Sequence, residues 1–416
     1  MPSRHTAVEP GRPIPGVQDH HSNHFVAEHA QTSILRLSHS FLENARVFGV
    51  VPDILLNVLF RILVRRGLEQ PRPFRGARKR GTSCNQHCLR MEGTMLERQE
   101  LAESVRKACI EVGFFYIKNH GIAGELIDHT FEAAHNFFAL SKEQKMECYL
   151  AKSKNFRGYS PLYGEKPSNP ELEKPAEGAL SEAFDIGYEL AGDFRKGPGD
   201  PPPQDEYGLY GENQWPDERL LPGFRKVYLE YFSQALELSR KLIRMIALAL
   251  GQEENFFDSA VEYPGVLSRM LHYPPQPVEG QEIPGQAAHT DWECFTILAQ
   301  DHVPALQVRN NQGHWVAAPP IPGTLVVNIG DCLATWSNNR FKSTIHRVVN
   351  LTGEERYSIP FFFGVDYTTT ISVLGEMGSG ENAPFRKPFT AGQYVFQKLS
   401  NAYIGYDSDH VGKNNV

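Results

Sequence analysis

The sequence predicts a mainly β protein with flanking α-helices, its core an antiparallel barrel or jelly roll. Three observations carry that prediction. Beyond Val266 the chain breaks into seven short apolar runs, SRMLHY, ECFTILAQD, ALQVRN, HWVAAP, GTLVVNIG, STIHRVVN and YSIPFFFG, each with strand character. Proline, glycine and asparagine turns separate these runs, with no helical pattern between them, as in antiparallel folds that close or stack their sheets. Ahead of them, the apolar residues recur at helical spacing instead.

The helical part reads in order. Leu96, Leu101, Val105, Ala108, Cys109 and Val112 mark one helix, stopped by Gly113 before the strand FFYIKN. A second helix spans about Gly124 to Phe138, and Ser141 in SKEQK is placed to cap a further turn. Residues 165–216 are rich in proline, glycine and acids, so we read a long loop. Leu221 to Leu250 reads as a long amphipathic helix with Gly251 as its stop. A last helix, about Thr390 to Ala402, is expected to pack on the outside.

These boundaries divide the 416 residues into an extension (1–92), an N-terminal α/β region (93–250), a jelly-roll core (264–368) and a C-terminal segment with its packing helix (369–416). The extension stands apart in composition. Its apolar stretch Val47–Val64 is interrupted by Asp53, Asn57 and Arg61, which argues against a signal peptide or stable membrane insertion. Arg61–Arg80 then carries eight basic residues against one acidic, and we read it as a poorly packed, basic tail. Cys84, His87 and Cys88 lie close together, but no second ligand pair follows at finger-like spacing, so no zinc site is assigned there. The net charge of -7 argues against nucleic-acid binding. Six scattered cysteines fit free thiols in a reducing compartment, the cytoplasm.

Chemistry gathers on a few strand residues. In HTDWECFTIL, read as one buried strand, His289 and Asp291 share a face, and STIHRVVN supplies His346 some 55 positions later. Two imidazoles and one carboxylate make the facial ligand set of an open Fe(II) site, whereas a structural zinc would be closed by four ligands. After His346 the chain turns at LTGEE and returns with Arg356 and Ser358 on one strand face. A guanidinium beside a hydroxyl forms a fork for a carboxylate, and the apolar run IPFFFG buries it. A buried arginine needs an anion, and its own strand face offers none.

HTD at 289–291, GDCLATWSNNRFKSTIHRV at 330–348, RYSIPFFF at 356–363, VGFFYIKNHGI at 112–122 and LHYPPQP at 271–277 together resemble the Fe(II)- and 2-oxoglutarate-dependent oxygenases of the isopenicillin N synthase type. The resemblance covers roughly residues 97–405 and implies a double-stranded β-helix, the jelly roll of the strand pattern. It implies that His289, Asp291 and His346 bind iron, that Arg356 and Ser358 hold the distal carboxylate of 2-oxoglutarate, and that Tyr273 touches the same carboxylate. It also implies dioxygen as co-reactant, with succinate and carbon dioxide as products. Hydroxylation is the default outcome, desaturation and ring closure the variants. Three departures stand out. Leu271 replaces an asparagine frequent in plant members, Glu293 replaces a frequent glycine, and no strand like IPVIDL precedes Leu96.

The expected substrate is a small organic molecule of secondary metabolism, since nothing resembles a protein-, nucleic-acid- or chromatin-reading module. Phe184, Tyr188, Trp215, Phe361 and Phe363 are the aromatics that could line its cavity. Two rival readings stay open at this point, an iron oxidase of the same type that does not use 2-oxoglutarate and a non-catalytic small-molecule-binding module. Substrate identity, position of attack and oligomeric state are left open.

Overall fold

Thr94 starts the first helix with both of its polar groups. Its hydroxyl accepts from the Glu97 N–H at 3.3 Å and its own N–H donates to the Glu97 carboxylate at 2.7 Å. This capping box satisfies orphan donors at the head of α1 (Met95–Glu111). The computed structural model describes residues 93–166, 178–197, 199–276, 283–375 and 384–403. The extension 1–92, with its basic run, its apolar stretch and Cys84, His87 and Cys88, lies outside them. Among the described residues no helix is long and apolar enough to cross a membrane.

Helix α1 buries Val105, Ala108 and Cys109, as its periodicity predicts, and Ala102, which it did not single out, whereas Leu96 in the first turn is 65% exposed. It stops at Gly113, whose φ of +77° lets the chain turn straight into β1 (Phe114–Lys118). Helix α2 (Gly124–Phe138) and the short α3 (Lys142–Glu147) follow, the latter boxed by Ser141 and Gln144. Helix α4 (Phe224–Ala249) buries Phe232, Leu236, Ile243 and Ile246 and packs on α1 and α2 and on the larger sheet.

That sheet has seven strands in the order β1-β9-β6-β11-β4-β3-β2, and a second sheet has four in the order β5-β10-β7-β8. The strands of the larger sheet after β1 are β2 (Gly158–Ser160), β3 (Glu182–Gly187), β4 (Val266–Tyr273), β6 (Phe295–Gln300), β9 (Thr324–Ile329) and β11 (Arg356–Phe363). The smaller sheet holds β5 (Gln286–His289), β7 (Leu306–Arg309), β8 (Trp315–Ala317) and β10 (His346–Val348). All pairings within these two sheets are antiparallel. Each of the seven expected runs holds a strand, and the two sheets form a jelly roll. A small ribbon, β12 (Thr370–Ile371) with β13 (Phe389–Thr390), leads into α6 (Ala391–Ala402).

Alternation sorts each central strand into two chemistries. On β11, Tyr357, Ile359, Phe361 and Phe363 join the core under the helices, while Arg356, Ser358, Pro360 and Phe362 line the space between the sheets. On β4, Val266 and Met270 point to the helices and Leu267, Arg269, Leu271 and Tyr273 to that space.

Several expectations are corrected. The segment 165–216 is not a loop throughout, because β3 inserts Glu182–Gly187 into the larger sheet. Its acids concealed it. Glu182 and Asp185 tolerate burial by pairing with Lys145 at 2.7 Å and Arg269 at 2.8 Å, partners far away in sequence. The described part of GPGDPPPQDE is irregular, as its prolines require, and 167–177 lie outside the described residues. HTDW is not continuous strand either. β5 ends at His289, and Asp291 sits in a turn held by the Asp331 N–H donating to its carbonyl at 2.9 Å. β10 and β11, joined by LTGEE, are not neighbours but lie in opposite sheets. Asp331–Trp336, unassigned from sequence, forms the short helix α5.

A Cβ at residue 113 would lie 2.1 Å from the Lys342 carbonyl oxygen, on a backbone that L side chains rarely adopt. Gly113→Ala should therefore cost about 2–4 kcal/mol, read as a lower denaturation midpoint. An unchanged midpoint would mean that this crossing of chain segments is freely adjustable.

Candidate active site

The pairing of β5 with β10 sets His346 opposite His289, and the turn after β5 brings Asp291 between them. Asp291 Oδ1 lies 3.4 Å from His289 Nε2 and 3.6 Å from His346 Nε2. One donor atom from each residue falls within 4.8 Å of the others, and among the described residues this is the one such group of three. Each imidazole is held from behind, since Nδ1–H of His289 donates to the Ala287 carbonyl at 2.8 Å and that of His346 to the Thr344 carbonyl at 3.1 Å. Those bonds select the tautomer whose Nε2 lone pair faces Asp291. The other carboxylate oxygen, Oδ2, accepts from Asn328 Nδ2 at 2.5 Å and from the Thr296 hydroxyl.

Electrostatics follow this geometry. Burial alone would raise the Asp291 carboxyl, but the imidazoles of His346 and His289 hold it well below the usual carboxylate range. Burial and the charge on His289 together lower His346 to about 4. His289 is raised despite its burial, through its hydrogen bond to Asp291. One carboxylate and two Nε2 atoms converging within 4.8 Å could hold a divalent metal, and the mixed nitrogen and oxygen donors would suit a redox-active one. The donor set therefore fits iron.

Arg356, on β11 of the larger sheet, forms a second pole of the same cleft. It is fully buried, donating from Nη2 to Gln300 Oε1 at 3.0 Å and from Nη1 to Ser358 Oγ at 3.3 Å. The Tyr273 hydroxyl lies 3.3 Å from the same Ser358 oxygen, and the guanidinium sits 4.7 Å over the Tyr273 ring. No carboxylate lies at ion-pair distance among the described residues. Asp301, which feels the Arg356 charge, accepts instead from the backbone N–H groups of Val303 and Tyr357. A buried cation held by neutral groups alone, with Nε unpartnered, is arranged to receive an anion.

The three candidate ligands, Arg356, Ser358 and Tyr273 all line one cleft of about 950 Å³, counted out to its open mouth. The five aromatics expected in its wall do not reach it. Phe184, Phe361 and Phe363 are fully buried in the core under the helices, Tyr188 is buried with its hydroxyl on Asp193 at 2.7 Å, and Trp215 packs on the same core. The wall is made by Leu267, Trp292, Pro360, Phe362 and Leu399 instead. Phe362 was within reach of sequence reasoning, because it shares its strand face with Arg356 and Ser358. Leu399, Ala402 and Tyr403 show that α6 is not merely an outer packing helix but closes the cleft. Thr296, Asn328 and Gln300, which hold Asp291 and Arg356, were not singled out from sequence. Leu271 and Glu293 both line the cleft, and burial, with Asp291 beside it, pushes the Glu293 carboxyl up to about 8.

Comparison with known proteins gives matches of the same kind across most of the chain. Residues 261–365 match the family model of the 2OG-Fe(II) oxygenase superfamily, and residues 89–218 match that of the non-haem dioxygenase in morphine synthesis N-terminal region. A 2-oxoglutarate-Fe(II) type oxidoreductase, hxnY of Emericella nidulans, is 39% identical over 312 residues, covering 73% of this chain and 85% of its own. Azadirone synthase LFS of Melia azedarach is 36% identical over 325 residues, 74% of this chain and 91% of its own. Among solved structures, a full-length Neurospora crassa protein in complex with alpha-KG and thymine superposes with a TM-score of 0.63 at 31% identity, covering 74% of this chain and 93% of its own.

The unpaired charge of Arg356 generates a ligand-binding prediction. A dicarboxylate such as 2-oxoglutarate or succinate should raise the melting temperature in proportion to the logarithm of its concentration. Arg356→Leu should abolish that response, and a response that survives the substitution would place the anion elsewhere.

Proposed function

This chain belongs to the 2-oxoglutarate-Fe(II) oxygenase superfamily, and on that premise we propose that it oxidises a small organic metabolite in the cleft between its two sheets. It is an oxidoreductase that uses Fe(II), 2-oxoglutarate and dioxygen. We assign His289, Asp291 and His346 as the iron ligands, and Arg356, Ser358 and Tyr273 as the groups that hold 2-oxoglutarate. The observation that carries this assignment is the pairing, in one cleft, of three convergent donors with a buried arginine that has no acid at ion-pair distance among the described residues.

Once bound, the iron supplies the oxidising chemistry, in which 2-oxoglutarate and dioxygen yield succinate and carbon dioxide while the substrate is hydroxylated, desaturated or closed into a ring. The protein supplies position. The Ala287 and Thr344 carbonyls aim both Nε2 atoms, while Asn328 and Thr296 keep Asp291 Oδ1 turned between them. Phe114 meets the His346 ring edge-on at 5.2 Å and limits its rotation. Arg356 selects for the charge of the cosubstrate, and Tyr273 fixes the Ser358 hydroxyl beside it. Leu267, Pro360 and Phe362 offer the substrate an apolar wall that excludes water.

The small-molecule reading is supported by the size of the cleft and by a structural neighbour that holds thymine. A role in secondary metabolism is supported by relatives such as azadirone synthase. The buried, unpaired thiols of Cys109, Cys148, Cys294 and Cys332 support a reducing compartment, and we place the protein in the cytoplasm. We take 264–368 as the catalytic core and 93–250 as the region that completes it, since β1, β2 and β3 extend the larger sheet. Residues 369–416 carry the helix that closes the cleft.

Anaerobic titration with Fe(II) and 2-oxoglutarate should develop a weak visible charge-transfer band, and a substrate screen should find compounds that stimulate succinate release. Turnover without succinate would favour an iron oxidase that does not use 2-oxoglutarate, and absence of the band would favour a binding module. His346→Ala should lose both band and turnover, whereas Arg356→Ala should keep iron and raise the 2-oxoglutarate requirement roughly tenfold or more. Asn328→Ala should weaken iron binding by about 10–100-fold without unfolding the protein. Full activity in the His346 variant would sink the ligand assignment.

A further inference from the structure

The cleft has another polar pole, which neither the iron ligands nor the 2-oxoglutarate fork uses. Arg269 on β4 donates from Nε to Asp185 Oδ1 at 2.8 Å and from Nη2 to Asp185 Oδ2 at 3.2 Å, to the Tyr403 hydroxyl at 3.3 Å and to Glu165 Oε1. Tyr403, just after α6, donates in turn to Asp185 Oδ2 at 3.0 Å. All four side chains are more than nine-tenths buried. Asp185 is consumed by the network, but two atoms are left over. Arg269 Nη1 donates to no protein group, and Glu165 Oε2 accepts from none, among the described residues. Both residues line the cleft. The contact of Nη2 with Oε1 makes the two residues neighbours on the cleft, one with a donor to spare and the other with an acceptor.

The position suits a substrate. Arg269 shares a strand face with Tyr273, four residues or roughly 13 Å further along β4. It lies two strand spacings, roughly 10 Å, from β6, which carries the Thr296 that holds Asp291. A small molecule bridges that gap.

We infer that Arg269 Nη1 and Glu165 Oε2 recognise the substrate through an –NH–C(=O)– edge, as in an amide, a lactam or a pyrimidinedione. This inference rests on the oxygenase reading above and names the substrate class for that site. A carboxylate placed on Arg269 would be repelled by Glu165, and an ammonium placed on Glu165 would be repelled by Arg269. A neutral group offering an acceptor and a donor side by side satisfies both atoms and leaves neither desolvated without a partner. A purely structural clamp from Tyr403 to β3 requires Asp185 and two nitrogens of Arg269, but leaves Glu165 Oε2 without a partner among the described residues.

The test uses the full chain loaded with Fe(II) and saturating 2-oxoglutarate. Thymine, 2-piperidone and benzamide present the edge; benzoate, benzylamine and toluene lack it. At least one edge-bearing compound should stimulate succinate release roughly tenfold or more above the controls. Glu165→Gln, which turns the acceptor into a donor, should raise the KM for that compound roughly tenfold or more while the 2-oxoglutarate KM stays unchanged. Equal stimulation by benzoate or benzylamine, silence from all three edge-bearing compounds while the charge-transfer band forms, or an unchanged KM in the variant would each overturn the inference. If Glu165→Gln does not fold, equilibrium dialysis of thymine against benzoate on the anaerobic wild-type protein decides, and preference for benzoate overturns it. Failure of the band itself would instead overturn the oxygenase reading, and the inference with it.

Discussion

The site depends on one backbone pairing. β5 and β10 run antiparallel in the smaller sheet with His346 directly across from His289, so that their rings stand 4.2 Å apart. Directly opposed residues in an antiparallel pair are held a few ångströms apart by the ladder itself, which is a stiffer constraint than any side-chain contact. The register is irregular between His346 and Val348, and the chain leaves β5 at once after His289. This early exit matters. Had the strand continued, Asp291 would have risen along the sheet, away from the pair. The turn instead folds it back, and Asn328 and Thr296 of the larger sheet lock it there.

The larger sheet separates two tasks by alternation alone. One face carries Ile359, Phe361 and Phe363 into a core shared with α4, where Phe232 meets Phe361 at 5.3 Å. The other presents Arg356, Ser358 and Arg269 to the cleft. The apolar face contributes the burial that stabilises the sheet, on the order of 1.5–3 kcal/mol per large side chain. That rigidity allows the opposite face to keep polar groups whose burial costs free energy. Arg356 is the extreme instance, since Gln300, Ser358 and the face of Tyr273 offset only part of its desolvation.

The two departures from the family pattern at Leu271 and Glu293 fall on the cleft wall rather than on its frame. Leu271 places an apolar side chain beside Tyr273, and Glu293 places a buried carboxyl two residues after Asp291. Gly364 makes room for it, since a Cβ there would lie 3.3 Å from the Glu293 Cγ. The terminal helix and the residue after it add Leu399 and Tyr403 to the cleft lining. A fixed reactive constellation inside a changeable wall is how one scaffold serves many substrates.

By itself the sequence determined much of this protein. Helix bounds, caps and strand runs were legible because each is local, and so was the shared strand face of Arg356 and Ser358. Capping boxes span three residues, alternation spans two, and a proline or glycine acts where it stands. What tertiary structure decided was non-local. β3 could not be recognised inside an acidic, proline-rich segment, because what makes Asp185 buriable is Arg269, 84 residues away. Thr296 and Asn328 could not be tied to Asp291, nor Glu165 and Tyr403 to one arginine, because strands distant along the chain become neighbours only when the sheets close. Local preference chooses the elements, and long-range pairing chooses which side chains share a cavity.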